Sequence, residues 1–165
     1  MLVGILTISD RASSGDYQDV SGPLLNDIIQ SRTNWTVTSQ AVVADEIEQI
    51  ASTLIEWCSS GINLILTSGG TGFSPRDVTP EATLQVIERE APGIAEALRA
   101  ESLKITRHAM LSRARAGMRG STLIINLPGS PKAVKESLDI LLPVLPHALD
   151  LLTGQPASER GHRAV

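Results

Sequence analysis

Ser68 to Asp77 reads SGGTGFSPRD and sets Gly69, Gly70 and Gly72, the hydroxyls of Ser68 and Thr71, and one carboxylate within ten residues. Glycines without a Cβ let the backbone take positive φ and approach a ligand closely, so that successive amides converge on an anion. Phosphate is the anion such a loop suits. Neither G-x-x-x-x-G-K-[ST] nor a complete G-x-G-x-x-G is present; the segment is either a ligand-free glycine turn or a phosphate loop of another kind. Asp77 would repel a phosphate unless a cation lay between them, and Mg²⁺ takes few protein carboxylates plus phosphate oxygens. A salt bridge to Arg76, or a turn-stabilising bond, accounts for Asp77 equally well. Asp45 invites the same metal reading, yet Asp45-Glu46-Ile47-Glu48 has an N-cap acid and a glutamate at N3, which is a capping box. Asp10 is a third carboxylate at a strand end, in undistinguished surroundings. Downstream, SRARAGMRGS from Ser112 to Ser121 gathers Arg113, Arg115 and Arg119 around Gly117 and Gly120 in an otherwise acidic chain. That pattern suits a phosphorylated ligand gripped by guanidinium groups, or a solvated loop.

These residues need elements to hold them. Leu2 to Ile8 and Ile62 to Thr67 are nearly continuous apolar runs, as expected of strands covered on both faces of a parallel sheet. Trp35 to Ala44 and Ser121 to Leu127 read as two further strands. Helices are expected from Gly22-Pro23, with Leu24, Leu25, Ile28 and Ile29 on one face, and from Glu46 to Ser60, capped by Gly61. Another is expected from Pro80, N-capped by Thr79 and facing inward with Leu84, Ile87 and Ala91, until Pro92-Gly93 breaks it. One from Ile94 to Leu103 follows, and a last helical region after Pro131 is interrupted by Pro143 and Pro146. Alternating strands and helices predict a three-layer α/β/α fold around a mostly parallel sheet. Ligands in such folds bind beyond the carboxyl ends of the strands, where Asp10, Asp45, the glycine loop and the Asn126 to Pro131 exit all fall.

The 165 residues, 42% of them hydrophobic, suit one domain, expected over 1–154, with the polar residues 155–165 as a frayed tail. A net charge of −4 and a pI near 5.3 offer no overall field for nucleic acid or acidic lipid, and two Trp, one Tyr and one Phe give little to stack bases on. The first ten residues lack a basic segment followed by an export-length apolar stretch, and the single Cys58 has no internal disulfide partner. Both features fit a cytoplasmic, membrane-free protein. His108, His147 and His162 are scattered, so no nucleophilic or transition-metal site is indicated.

SGGTGFSPRDVTPEA, followed by IEREAPG, LSRARAGMRGSTLIINLPGSPKAVKE and LPVLPHALDLL, resembles the Mog-type molybdopterin adenylyltransferases, the family that includes the gephyrin G domain. The resemblance runs from the first strand to about Leu152. It implies a molybdopterin-binding fold, usually trimeric, that uses Mg²⁺ and ATP to adenylylate molybdopterin in molybdenum cofactor synthesis. By the same resemblance Asp45, in VVADE, and Asp77, in RDVTPE, are the two catalytic and metal-binding carboxylates, and Ser68, Gly69, Gly70, Thr71 and Gly72 form the ATP-phosphate loop. Ser112, Arg113, Gly117, Arg119, Gly120, Ser121 and Ser130 are implied in the molybdopterin pocket. Ala44 replaces a proline common before the acid, and Met118 replaces a commoner isoleucine. The implied partners are ATP, molybdopterin, two further copies of the chain and a molybdenum-insertion enzyme that receives the product. A MoaB-type module that binds molybdopterin as a scaffold, without turnover, is the alternative. The MoeA type carries additional domains for which this length leaves no room.

Overall fold

The computed structural model describes residues 1–154; the polar tail expected at 155–165 lies outside the described residues. A six-stranded sheet has the order β2-β1-β3-β6-β5-β4. Its strands are β1 (Leu2–Ile8), β2 (Thr36–Val43), β3 (Leu64–Ser68), β4 (Arg89–Glu90), β5 (Ala116–Arg119) and β6 (Thr122–Leu127). The first three strands and β6 are parallel, whereas β5 and β4 run antiparallel along one edge. β3 and β6 are buried at every residue and β1 at all but the first, which is why their sequences show no polar alternation. β2, at the opposite edge, alternates exposed with half-buried residues.

Because successive side chains leave a strand on opposite faces, β1 builds two cores. Val3 and Ile5 join Leu64, Leu66 and Ile125 beneath α2 (Ser21–Arg32), α5 (Pro92–Leu103), α6 (Pro131–Leu141) and α7 (Leu145–Leu152). Leu6 and Ile8 join Ile65 and Ile124 beneath α3 (Ile47–Ser59) and α4 (Thr79–Val86). The result is the three-layer α/β/α arrangement. A short helix, α1 (Asp10–Ser13), directly follows β1.

Three local expectations are corrected. The Pro80 helix ends at Val86, and its buried face is Ala82, Thr83 and Val86, while Leu84 is exposed. The chain then extends into β4, because a free strand edge at β5 offers Arg89 and Glu90 hydrogen-bond partners. Pro92-Gly93 starts α5 instead of breaking a helix, since proline at the first positions needs no amide donor. Gly61 fulfils its expected role past the end of α3, with φ 86°.

Candidate active site

The β3 exit forms a hairpin-tight glycine loop. Gly69 and Gly70 take φ of 106° and 62°. A Cβ on Gly69 would overlap the Ile8 carbonyl oxygen, and one on Gly70 would lie 2.9 Å from Asp45 Oδ1 and overlap Thr79 Oγ1. Only glycine fits either position. The loop carbonyls all accept internal bonds. Gly69 O accepts from Thr79 Oγ1 at 2.9 Å and Gly70 O from Thr79 N at 3.1 Å. Thr71 O accepts from Arg113 N at 2.9 Å and Gly72 O from Arg113 Nε at 2.7 Å. The amides of Gly70, Thr71 and Gly72 meet no acceptor among the described residues. Such a loop, with its acceptors consumed and its donors free, suits an anion. Thr79 therefore serves the loop; it does not cap α4, whose N-cap is Val78. Ser68, fully buried, donates to Pro128 O at 3.1 Å and ties the loop to the β6 exit.

Two carboxylates stand over this loop. Asp45 Oδ2 accepts from Asp10 N at 2.8 Å, and Asp45 N donates to Asp10 Oδ1 at 3.0 Å. This reciprocal pair replaces the expected capping box: α3 is N-capped by Glu46, without a side-chain bond, because Asp45 is one residue too early and its carboxylate is bonded to Asp10 at the start of α1. Burial raises the Asp45 pKa above the usual carboxylate range. The charges of Asp10 and Asp77 push it the same way, against the Asp10 amide and Arg76. Asp77 Oδ2 accepts from Ser74 N at 2.9 Å and lies 2.8 Å from the place a Cβ on Gly72 would occupy. Of its two structural readings, the turn bond forms. Arg76 turns instead to Asp10, at 2.9 and 3.0 Å, and to Glu46 at 2.7 Å. Arg76 holds the Asp10 carboxyl below its usual range, helped by the Asp45 amide.

The arginine-rich segment divides. Arg113 Nη2 donates to Asp77 O and Nη1 pairs with Glu81, in addition to its bond to Gly72. Its guanidinium braces the loop where the sequence suggested donors offered to a ligand. Arg115 pairs with Glu90, and Arg119 donates to Val86 O at 2.9 Å. β5 runs antiparallel to β6, so the Gly120-Ser121 turn precedes Thr122 at the amino end of β6, on the rim opposite the glycine loop. Gly117, Arg119, Gly120 and Ser121 are thus not brought to the loop within one chain, whereas Ser112 and Arg113 are. Gly117 has a packing reason, since a Cβ there would lie 2.5 Å from Ile87 Cδ1 and 2.7 Å from Arg89 O. Met118 packs partly buried against the first core.

Two clefts flank the loop. One of about 430 Å³ is lined by Ser9, Arg11, Ser68, Gly69, Gly129 and Ser130, and Ser130 caps α6 through Ala133 N at 3.2 Å. Arg11 lies 5.1 Å over the Tyr17 ring at its wall. The other, of about 270 Å³ and mainly apolar, is lined by Thr71, Gly72, Leu98, Ser112, Asn126 and Pro128. Asn126, fully buried, donates to Thr67 Oγ1 at 3.0 Å and Thr83 Oγ1 at 2.9 Å and accepts from Arg115 N at 3.1 Å. Asn126 falls in an exit segment the sequence singles out, but nothing in the sequence marks it as the polar centre of the sheet. Nor does any local pattern announce that Asp10, Glu46 and Arg76 meet.

A family model described as a probable molybdopterin binding domain matches residues 4–147. The chain is 46% identical over 174 residues to gephyrin of Dictyostelium discoideum, which aligns with 99% of this chain and 24% of that protein. It is 42% identical over 154 residues to the molybdopterin adenylyltransferase of Helicobacter pylori, covering 92% of this chain and 88% of the relative. The chain thus spans about a quarter of the gephyrin and most of the Helicobacter protein. Among solved structures, the molybdopterin biosynthesis enzyme MoaB of Thermus thermophilus superposes with a TM-score of 0.89 at 48% identity, covering 95% of this chain and 99% of that one. A MogA structure gives 0.85 at 40% identity, covering 92% and 99%. With a family match running from within β1 to within α7, and so across every strand and the whole glycine loop, the chain belongs to the molybdopterin-binding-domain family.

Proposed function

We propose that this protein is a molybdopterin adenylyltransferase that uses ATP and Mg²⁺ in molybdenum cofactor synthesis. The observation that carries the reading is the loop whose carbonyls are all turned to Thr79 and Arg113, with Asp45 over Gly70 and Asp77 beside Gly72. The names of the relatives supply the substrates. A terminal phosphate oxygen of molybdopterin attacks the α-phosphorus of ATP, an oxygen–phosphorus bond forms, the bond to the β-phosphate bridge breaks, and pyrophosphate leaves with its electron pair. The attacking phosphate is already ionised at neutral pH, so no base need remove a proton.

What the chain contributes is position and charge. The amides of Gly70, Thr71 and Gly72 receive phosphate oxygens, and the two clefts on either side of the loop give two substrates separate approaches to one point. Among the described residues no three His, Cys, Asp or Glu side chains converge to hold a metal. Asp45 and Asp77 suit Mg²⁺, which takes one or two carboxylates and completes its shell with water and phosphate oxygens. When bound, the ion supplies neutralisation of the triphosphate charge. The crowded negative charge at Asp45 supports a cation there.

By the family likeness the proposed enzyme is a homotrimer that acts in the cytoplasm and passes its product to a molybdenum-insertion enzyme. No described helix is long and apolar enough to cross a membrane. Sedimentation velocity measures the assembly. Pyrophosphate release from ATP and Mg²⁺, with anaerobically prepared molybdopterin, tests the chemistry. Wild-type release that requires the pterin is expected, and Asp77→Asn should fold normally and lose about 10²-fold or more of turnover. Pterin binding by the wild type without pyrophosphate release overturns the transferase in favour of a binding module.

A further inference from the structure

Asp45 and Asp77 reach the loop from different elements, the β2–α3 junction and the β3–α4 connection, and something must fix their separation. Each has a neighbour in sequence that carries the opposite half of an ion pair: Glu46 follows Asp45, and Arg76 precedes Asp77. Arg76 Nη2 bonds Glu46 Oε1 at 2.7 Å and Asp10 Oδ1 at 3.0 Å, while Nε bonds Asp10 Oδ2 at 2.9 Å. Asp10 in turn holds the Asp45 amide. We infer that Arg76 is a positioning residue, a clip joining the strand exits that carry Asp45 and Asp77 and so setting the geometry of the proposed cation site; the inference rests on that reading of the two carboxylates.

The arrangement has the features that give an exposed ion pair consequence: a two-toothed grip on Asp10, and three charges in one network drawn from the exits of three strands, β1, β2 and β3. Arg76 is about half exposed, as are Asp10 and Glu46, so the clip adds little to global stability. Its value lies in register. Misplacing a catalytic constellation by about 1 Å costs up to 10²-fold in rate. A lysine ammonium can replace the guanidinium fork only in part, because it cannot span Asp10 bidentately and reach Glu46 as well.

Electrostatics and positioning predict opposite signs. Removing one screened surface cation leaves the rim more negative and, by charge alone, tightens cation binding by about twofold. Loss of register weakens it. The test is Mn²⁺ binding with ATP present, followed by electron paramagnetic resonance on wild type, Arg76→Ala and Arg76→Lys, with pyrophosphate release and thermal unfolding measured alongside. The expected result is Mn²⁺ affinity lowered roughly tenfold in Arg76→Ala and partly restored in Arg76→Lys, melting temperatures within about 2 °C of wild type, and loss in kcat with little change in the molybdopterin KM. Mn²⁺ bound as tightly by Arg76→Ala as by wild type, or not bound by wild type at all, overturns the clip whatever the turnover. Weaker Mn²⁺ binding by Arg76→Ala, with no pyrophosphate released by any variant, retains the clip and overturns the transferase.

Discussion

Asp45→Asn is expected to make the protein more stable and less active at once. The Asp45 carboxylate is nearly buried, and Asp10 and Asp77 both act against its charge. Its pKa is raised in the folded state, so the ionised form is disfavoured by folding at every pH above that raised value. The penalty is fully present near neutral pH and fades as the pH falls toward the ordinary carboxylate range near 4. Asparagine carries no charge yet keeps an Oδ1 able to accept from Asp10 N, so the hydrogen bond seen at 2.8 Å survives. Repulsion between close, partly solvated carboxylates is worth about 1 kcal/mol. The variant should gain about that much at pH 7.5, or roughly 2–4 °C in melting temperature for a chain of this size. Urea unfolding at pH 7.5 and 4.5 should show the gap between variant and wild type closing at the lower pH. Pyrophosphate release should drop about 10²-fold or more. A variant less stable than wild type at pH 7.5, or an advantage that persists unchanged at pH 4.5, is incompatible with a charge penalty at Asp45.

Arg113→Lys keeps a positive charge but cannot join Gly72 O, Asp77 O and Glu81 in one fork; kcat should fall roughly tenfold with the molybdopterin KM within about twofold of wild type. A raised KM at unchanged kcat would instead make Arg113 a ligand of the pterin phosphate. Asn126→Leu strips the Thr67 and Thr83 hydroxyls and the Arg115 amide of their shared partner inside the sheet, and should cost about 2–4 kcal/mol in urea unfolding.

What the sequence discloses depends on how local the cause is. The strands β1, β3 and β6 are legible because burial on both faces demands unbroken apolar runs, and their order along the chain already implies helices on both sides. β4 and β5 are not legible. They are two and four residues long, and their extended form comes from pairing with each other and with β6, to which nothing in their own composition points. The same hairpin carries Gly117, Arg119, Gly120 and Ser121 away from the rim, so a run of residues compact in sequence is divided in space. The rim carboxylates are legible from their place after strands. Asp45 shows the limit: a capping box and a carboxylate bonded to a distant amide have the same four-residue signature, and only the approach of Asp10 across 35 positions separates them.

That approach also explains how a rim so rich in carboxylates stays usable. A buried acid is ordinarily held by a cation, which lowers its pKa and occupies it. Here the Asp10 backbone amide holds Asp45 instead, orienting the carboxylate without an ion pair, and the opposing charges of Asp10 and Asp77 outweigh the pull of Arg76. The nearby guanidinium is consumed by Asp10 and Glu46, acids one step removed from the loop. Asp77 is likewise held by an amide, that of Ser74, and not by its neighbour Arg76. Amides fix the direction of the two carboxylates over the glycine loop while charge–charge pairing is confined to the residues beside them. The fold therefore sets two carboxylates beside a run of amides with no acceptor among the described residues, and on that juxtaposition the proposed meeting of phosphate and cation rests.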